Sequence, residues 1–304
     1  MSDHVTTDSS GAFSRMAPRC VLALGVEDQL GVEAVRAIAA AGARVEVVDY
    51  LEEGADLRTR DAVVNLTPAL EQPRSWLGHL VRMSGRRRRW QLAASIAEAL
   101  QQVPGLRFVQ RSTAALYVDG GDEWIDEDWP LEPNDATFLA DAFEGIARAH
   151  SEGGGDAVVL RFGHPFDSRI PCDGEIARLA RKGWLPFWGR DDAYLPLVRI
   201  DDAAAAVVAA LEAPPGTFNV AAPDLYTNER LNARAARLAG HDLASLEPAI
   251  RAADRDLLDR SWRLTSAAFT RATGWQPQPV FAPSPTESSE SCEAGSPRLG
   301  RASL

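Results

Sequence analysis

The sequence predicts an α/β protein built on a doubly wound parallel sheet, with a smaller lobe formed by the C-terminal part of the chain. Three observations lead there. Short apolar runs, suited to strands buried on both faces, alternate with longer stretches whose apolar residues recur at helical spacing. That alternation repeats through the first half of the chain, the pattern of parallel strands joined by crossover helices. The first strand–helix junction, "GVEDQLG" from Gly25 to Gly31, is bounded by glycines. Such a turn lets the backbone approach an anion held at a helix N-terminus.

The elements follow in order. "CVLALGV" (20–26) is the first strand, and "QLGVEAVRAIAAAGA" (29–43) is a helix closed by a glycine. "RVEVVDY" (44–50) and "DAVVNLT" (61–67) are the next strands. "WQLAASIAEALQQV" (90–103) is helical and "LRFVQRST" (106–113) a strand, followed by the helix "ATFLADAFEGIARAH" (136–150) and the strand "DAVVLRFG" (156–163). Beyond Gly163 the rhythm loosens. "EIARLARKGWLPFWG" (175–189), "DDAAAAVVAALEAP" (201–214), "TNERLNARAARLAG" (227–240) and "RDLLDRSWRLTSAAFTRATGW" (255–275) read as helical, and "GTFNVAA" (216–222) as a short strand. The expected division is a disordered leader over 1–17, the sheet domain over 18–165, a partly interleaved lobe over 166–283 and a Ser/Gly/Pro-rich disordered tail over 284–304.

Composition narrows the function classes. A net charge of −11 argues against nucleic acid as the main partner, because phosphate binding needs a basic face. The basic run "GRRRRW" (85–90) opens a helical pattern and reads as a solvated face. No apolar run reaches membrane-spanning length, and the polar, acidic start is unlike a signal peptide, so a soluble cytoplasmic protein is expected. Cys20, Cys172 and Cys292 have no metal-like spacing, and reduced thiols and no metal site are expected. Lys182 is the only lysine.

At the nucleotide end, Gly25 and Gly31 have the spacing of the outer glycines of a GxxGxxG loop, and Asp49 ends the next strand, where a carboxylate can accept hydrogen bonds from an adenosine ribose. Taken in order with "DAVVNLT", "LRFVQRSTAALY", "IDEDWPLEP", "VVLRFG", "LVRIDDAAAAVVAALEAP", "GTFNVAA" and "RLTSAAFTRATGWQPQP", these segments resemble the extended short-chain dehydrogenase/reductase family from about Cys20 to Phe281. These are the NAD-dependent epimerases and dehydratases of nucleotide sugars. The resemblance implies a Rossmann-type NAD(P) domain, a smaller lobe holding a nucleotide-diphosphate sugar, and a homodimer through a four-helix bundle that includes the helix at 136–150. It also places Thr113 where the family's serine or threonine polarises the substrate oxygen.

The departures matter as much. The family's middle glycine falls on Asp28, whose side chain crowds a pyrophosphate and repels it by roughly 4 kcal/mol at about 4 Å and an effective dielectric near 20. Only a short stretch separates Asp49 from Ala62, where the family fits another strand and helix. The family's YxxxK motif pairs a tyrosine acid/base with a lysine one helical turn on. Those positions fall on Thr137 and Asp141, give or take one residue, and no YxxxK exists anywhere in the chain. NAD or NADP is implied by resemblance, yet Asp28 and Asp141 put two acids where a polyanion is usually welcomed.

The remaining candidates are His164, Asp135 and Asp141 as acid/base groups, and Arg161, His164 and Arg199 as contacts for an anionic ligand. Each also has a structural reading: a packed histidine, exposed acids at a helix start with Asp135 as its cap, and arginines paired with the chain's many acids. Trp124, Trp129, Trp184, Trp188, Phe162 and Phe166 fall in segments around the expected pocket mouth, where they serve either a flat ligand or lobe packing. Three functions stay open: a small-molecule binding or partner protein that has lost redox chemistry, a non-redox isomerase, lyase or cyclase reusing the pocket, and an NAD(P)-dependent enzyme with an unusual proton relay.

Overall fold

A computed structural model describes residues 20–52, 54–69, 76–166, 180–185, 189–248 and 259–281, with only the backbone described over 76–86, at 185 and over 247–248. The elements run β1 (Cys20–Leu24), α1 (Gln29–Ala40), β2 (Arg44–Val48), β3 (Ala62–Asn65), α2 (Trp76–Gln102), β4 (Arg107–Thr113), β5 (Trp124–Ile125), α3 (Phe138–Glu152) and β6 (Asp156–Phe162). They continue with β7 (His164–Phe166), β8 (Trp184–Leu185), β9 (Leu197–Arg199), α4 (Ile200–Ala210), β10 (Gly216–Val220), α5 (Asn228–Ala239), β11 (Glu247–Pro248), β12 (Arg263–Leu264) and α6 (Ala267–Thr273).

Six parallel strands form one sheet in the order β10-β6-β4-β3-β1-β2. The order reverses at β1, the mark of a doubly wound Rossmann-type fold. Period-two alternation sends the side chains of each strand to opposite layers. Val21, Ala23 and Val64 meet Leu30, Ala34 and Ile38 of α1, and Ala203, Ala206 and Val207 of α4. Leu22, Leu24 and Val63 meet Leu92 and Ile96 of α2 and Phe143 of α3. α1 forms where it does because Leu30, Ala34 and Ile38 recur every fourth residue on one buried face and Asp28 caps its start.

The sheet ends at β2. The stretch from Asp49 to Asp61 returns straight to β3, so the additional strand and helix expected on family grounds are missing and β2 is an edge strand. None of its five residues is buried. At the bottom of the sheet, the buried Arg107 pairs with Asp156 and donates to the carbonyls of Ala210 and Ala213, tying β4 and β6 to the end of α4.

Three small two-stranded ladders, β7–β9, β5–β12 and β8–β11, build the region beyond the strand ends. Two helical expectations are corrected here. Trp184–Leu185 is a strand, and only Ala267–Thr273 of the 255–275 stretch is helical among the described residues. Arg260 to Leu264 is not helical, because tertiary bonds outcompete the local helical pattern. Ser261 N–H donates to Asp119 at 2.9 Å, and the Trp262 indole donates to the Tyr117 carbonyl at 3.1 Å. Conversely α2 starts at Trp76, earlier than the apolar spacing indicated.

Candidate functional site

In a doubly wound sheet the ligand crevice lies beyond the carboxyl ends of the strands. Here those ends are Leu24, Val48, Asn65, Thr113, Phe162 and Val220. Gly25 follows β1 with φ +66°, and a Cβ there would lie 2.2 Å from Thr67 Oγ1. Thr67 is fixed in turn by its bond to Asn65 Oδ1 at 2.6 Å. Gly25 therefore serves a positive φ and a close approach to β3. Gly25→Ala is expected to destabilise the protein by about 2 kcal/mol or more, read by denaturant unfolding.

Asp28 occupies the start of α1. Its Oδ1 accepts from Gly31 N–H at 2.9 Å, and Arg111 of β4 grips both carboxylate oxygens, at 2.9 and 2.7 Å. Arg111 also donates to the Leu66 carbonyl at 3.0 Å. Burial opposes ionisation of Asp28, but the Arg111 guanidinium and the Gly31 N–H outweigh it and hold the carboxyl below the usual range. This corrects the simple repulsion argument, because the charge of Asp28 is matched. The obstacle to a pyrophosphate is occupancy: a carboxylate already sits on the helix N-terminus with an arginine bound to it. The neighbouring Glu27 is likewise bridged by Arg89 of α2, at 2.8 Å, so one arginine of the basic run has a local ion pair. Arg87 and Arg88 are exposed.

The catalytic end is occupied too. Glu144 of α3 is buried and bonded by Arg161 of β6 through Nε at 2.9 Å and Nη2 at 2.7 Å, with the Ser112 hydroxyl as a further donor. Arg161 Nη1 donates to the Tyr117 hydroxyl at 2.9 Å, which donates to Asn219 Oδ1 at 2.7 Å. Burial pushes the Tyr117 phenol up to about 12, with Arg161 opposing only in part. Burial also disfavours the Arg161 charge, yet Glu144 and Tyr117 more than restore it. Tyr117 is thus a satisfied structural hydroxyl, unsuited to proton transfer near neutral pH.

Glu144 is the α3 acid in the buried stripe Ala140, Phe143, Glu144 and Ala147. Asp141 is half-buried in the first turn, and Thr137 is the buried residue before it. The signal was present: an acid in an apolar stripe requires a cation, and Arg161 stands in an otherwise apolar strand.

The other candidates are dispersed. Thr113 is buried, and its Oγ1 accepts from Ala115 N–H at 3.2 Å, shaping the turn after β4. Asp135 is exposed before α3. Asp49 is exposed at the end of β2. Arg199 is buried and gripped by Asp201 at 3.0 and 2.6 Å. His164 stands apart. The residue is exposed at the start of β7. No hydrogen bond joins Thr113, Asp141 and His164 to one another. Phe162 is core, Trp129 packs beside Tyr117, and Phe166 stacks on Phe281 with centroids 5.1 Å apart. Trp124 and Trp184 are exposed, while Trp188, Cys172 and Cys292 lie outside the described residues, as do the proposed leader and tail.

The residues present do not fit a hydride-transferring dinucleotide. The α1 N-terminus is engaged by Asp28, and the α3 face toward Arg161 carries Ala140 and Glu144. The single lysine is exposed at 182, after the helical turn at 180–181. Among the described residues no cluster of His, Cys, Asp or Glu could hold a metal, and no helix is long and apolar enough to cross a membrane.

Sheet order, crossover layers and strand-end crevice together define an α/β protein with a doubly wound, Rossmann-type fold. Among solved structures it is similar to the human epimerase family protein SDR39U1 (isoform 2) with NADPH, at 23% identity over 86% of this chain and 96% of that one, TM-score 0.65. It is also similar to UDP-glucose 4-epimerase of Thermus thermophilus in complex with NAD, at 22% identity over 85% and 94%, TM-score 0.64. A third is dTDP-glucose 4,6-dehydratase of Bacillus anthracis in complex with NAD, at 16% identity over 86% and 92%, TM-score 0.66. No protein-family model matches the chain, and no curated protein matches it.

Proposed function

We propose that this protein is a small-molecule binding or partner protein that keeps the epimerase/dehydratase fold without its redox chemistry. Its ligand belongs in the strand-end crevice and is nucleotide-sugar-like. The observation that carries this reading is the Asp28–Arg111 pair on the N-terminus of α1, where a dinucleotide pyrophosphate would bind. The absence of tyrosine and lysine from α3 supports it. Calorimetric titration with NAD(H) and NADP(H), read together with melting temperature, tests it. No binding is expected at millimolar dinucleotide. Micromolar binding would overturn the reading and favour an NAD(P)-dependent enzyme, as the ligands of the similar structures suggest.

A non-redox isomerase or lyase is the second reading, favoured by one observation: the imidazole-bearing His164 is exposed just past the carboxyl end of β6. A homodimer through α2 and α3 is part of the proposal. A shallow groove of about 450 Å³ between them, lined by Ala97, Leu100, Ala142, Ile146 and Ala149, is the surface a second copy would cover.

A further inference from the structure

The two edges of the sheet are treated differently by the chain. At β10 the fold covers its own edge. Phe218 packs on Phe269 of α6 with centroids 5.4 Å apart, and the backbone N–H of Asn219 donates to Glu127 Oε1 at 2.9 Å. Just past the strand, Ala221 N–H donates to Ser266 Oγ at 2.7 Å. β2 has no comparable cover among the described residues. Among the described residues only β1 bonds to the β2 backbone. Val47 is 46% exposed and Tyr50 56%, beside a groove of about 480 Å³ floored by Leu22, Val48, Leu51 and Leu57. A β-branched strand with an open rim is a template for further pairing unless something covers it.

We propose that β2 is an interface between two copies of this chain, joined edge to edge and antiparallel about a two-fold axis perpendicular to the sheet. The charges of the strand favour this occupant. Only registers that place residues of like parity opposite each other obey such an axis. Centred on Val45, the register sets Arg44 opposite the partner's Glu46, twice by symmetry, and Val47 opposite the partner's Ala43. Arg44 is exposed and has no ion-pair partner among the described residues. Glu46 is bridged by Arg60 at 2.6 Å but keeps 43% of its side chain exposed. Cross-strand opposite charges are favourable, and like charges directly opposite are not. The strand is thus complementary to itself, and the contact continues the sheet into twelve strands across the pair, twice the six of one chain. This interface is distinct from the α2/α3 face and does not depend on what the crevice binds.

Sedimentation of the full chain over a range of concentrations tests it. A reversible association step is expected. Arg44→Glu should weaken it by roughly tenfold or more, since two attractive pairs become repulsive. The reversed pair R44E/E46R should recover it, while Ala149→Arg on the α2/α3 face leaves it intact. Val47→Lys spares the Glu46–Arg60 pair and should weaken the same step, which keeps the test decisive if the double variant melts early. A chain that stays monomeric overturns the proposal. So does a step insensitive to Arg44→Glu and Val47→Lys, or one abolished by Ala149→Arg alone.

Discussion

Glu144→Gln is expected to lower stability by about 3–5 kcal/mol, the cost of leaving a buried guanidinium without its counter-charge. Arg161 and Glu144 are both nearly inaccessible, with side chains 6% and 3% exposed, so water cannot stand in for the lost carboxylate. The bond from Ser112 and the orientation of Tyr117 depend on the same pair. In a domain of this size, each kcal/mol shifts the melting temperature by about 2–4 °C, so a fall near ~10 °C is expected. Replacing both charges, as in Glu144→Leu with Arg161→Met, should cost less than the single change, because no orphaned ion remains. A single variant within about 1 kcal/mol of the wild type, the worth of a surface pair, would show that the network does not hold the crevice together.

Asp28→Gly is expected to raise dinucleotide or pyrophosphate affinity by roughly tenfold or more, because the glycine vacates the helix N-terminus. The glycine removes the carboxylate, frees the Gly31 N–H and leaves Arg111 as a cation beside the helix N-terminus. Arg111→Leu in the same background should abolish the gain. A stability loss of about 1–2 kcal/mol accompanies it, as the helix loses its cap. Equal affinity in wild type and variant would show that occupancy by Asp28 is not what excludes the ligand. The cap also sets a pH dependence. Because the folded pKa of Asp28 is depressed, its contribution is complete above the ordinary aspartate value near ~3.9 and is lost as pH falls through the lower folded value. Asp28→Asn should flatten that acid limb of the stability curve.

Local pattern determined a great deal by itself. Strand–helix alternation, the glycine-bounded first turn and the short Asp49–Asp61 connection specify a doubly wound sheet that stops at β2, because period and length are properties of contiguous sequence. The lack of any YxxxK is equally a fact of sequence alone. What only the tertiary structure decided is which charges meet. Asp28 and Arg111 are 83 residues apart, and Glu144 meets Arg161 of another element, so neither pairing is written in local pattern. Arg260 to Leu264 carries a helical pattern yet is not helical, because its bonds to Asp119 and Tyr117 come from far along the chain. Spacing tells which side chains share a face. It does not tell which distant ion is buried against them, and in this crevice those pairings are Asp28 with Arg111 and Glu144 with Arg161.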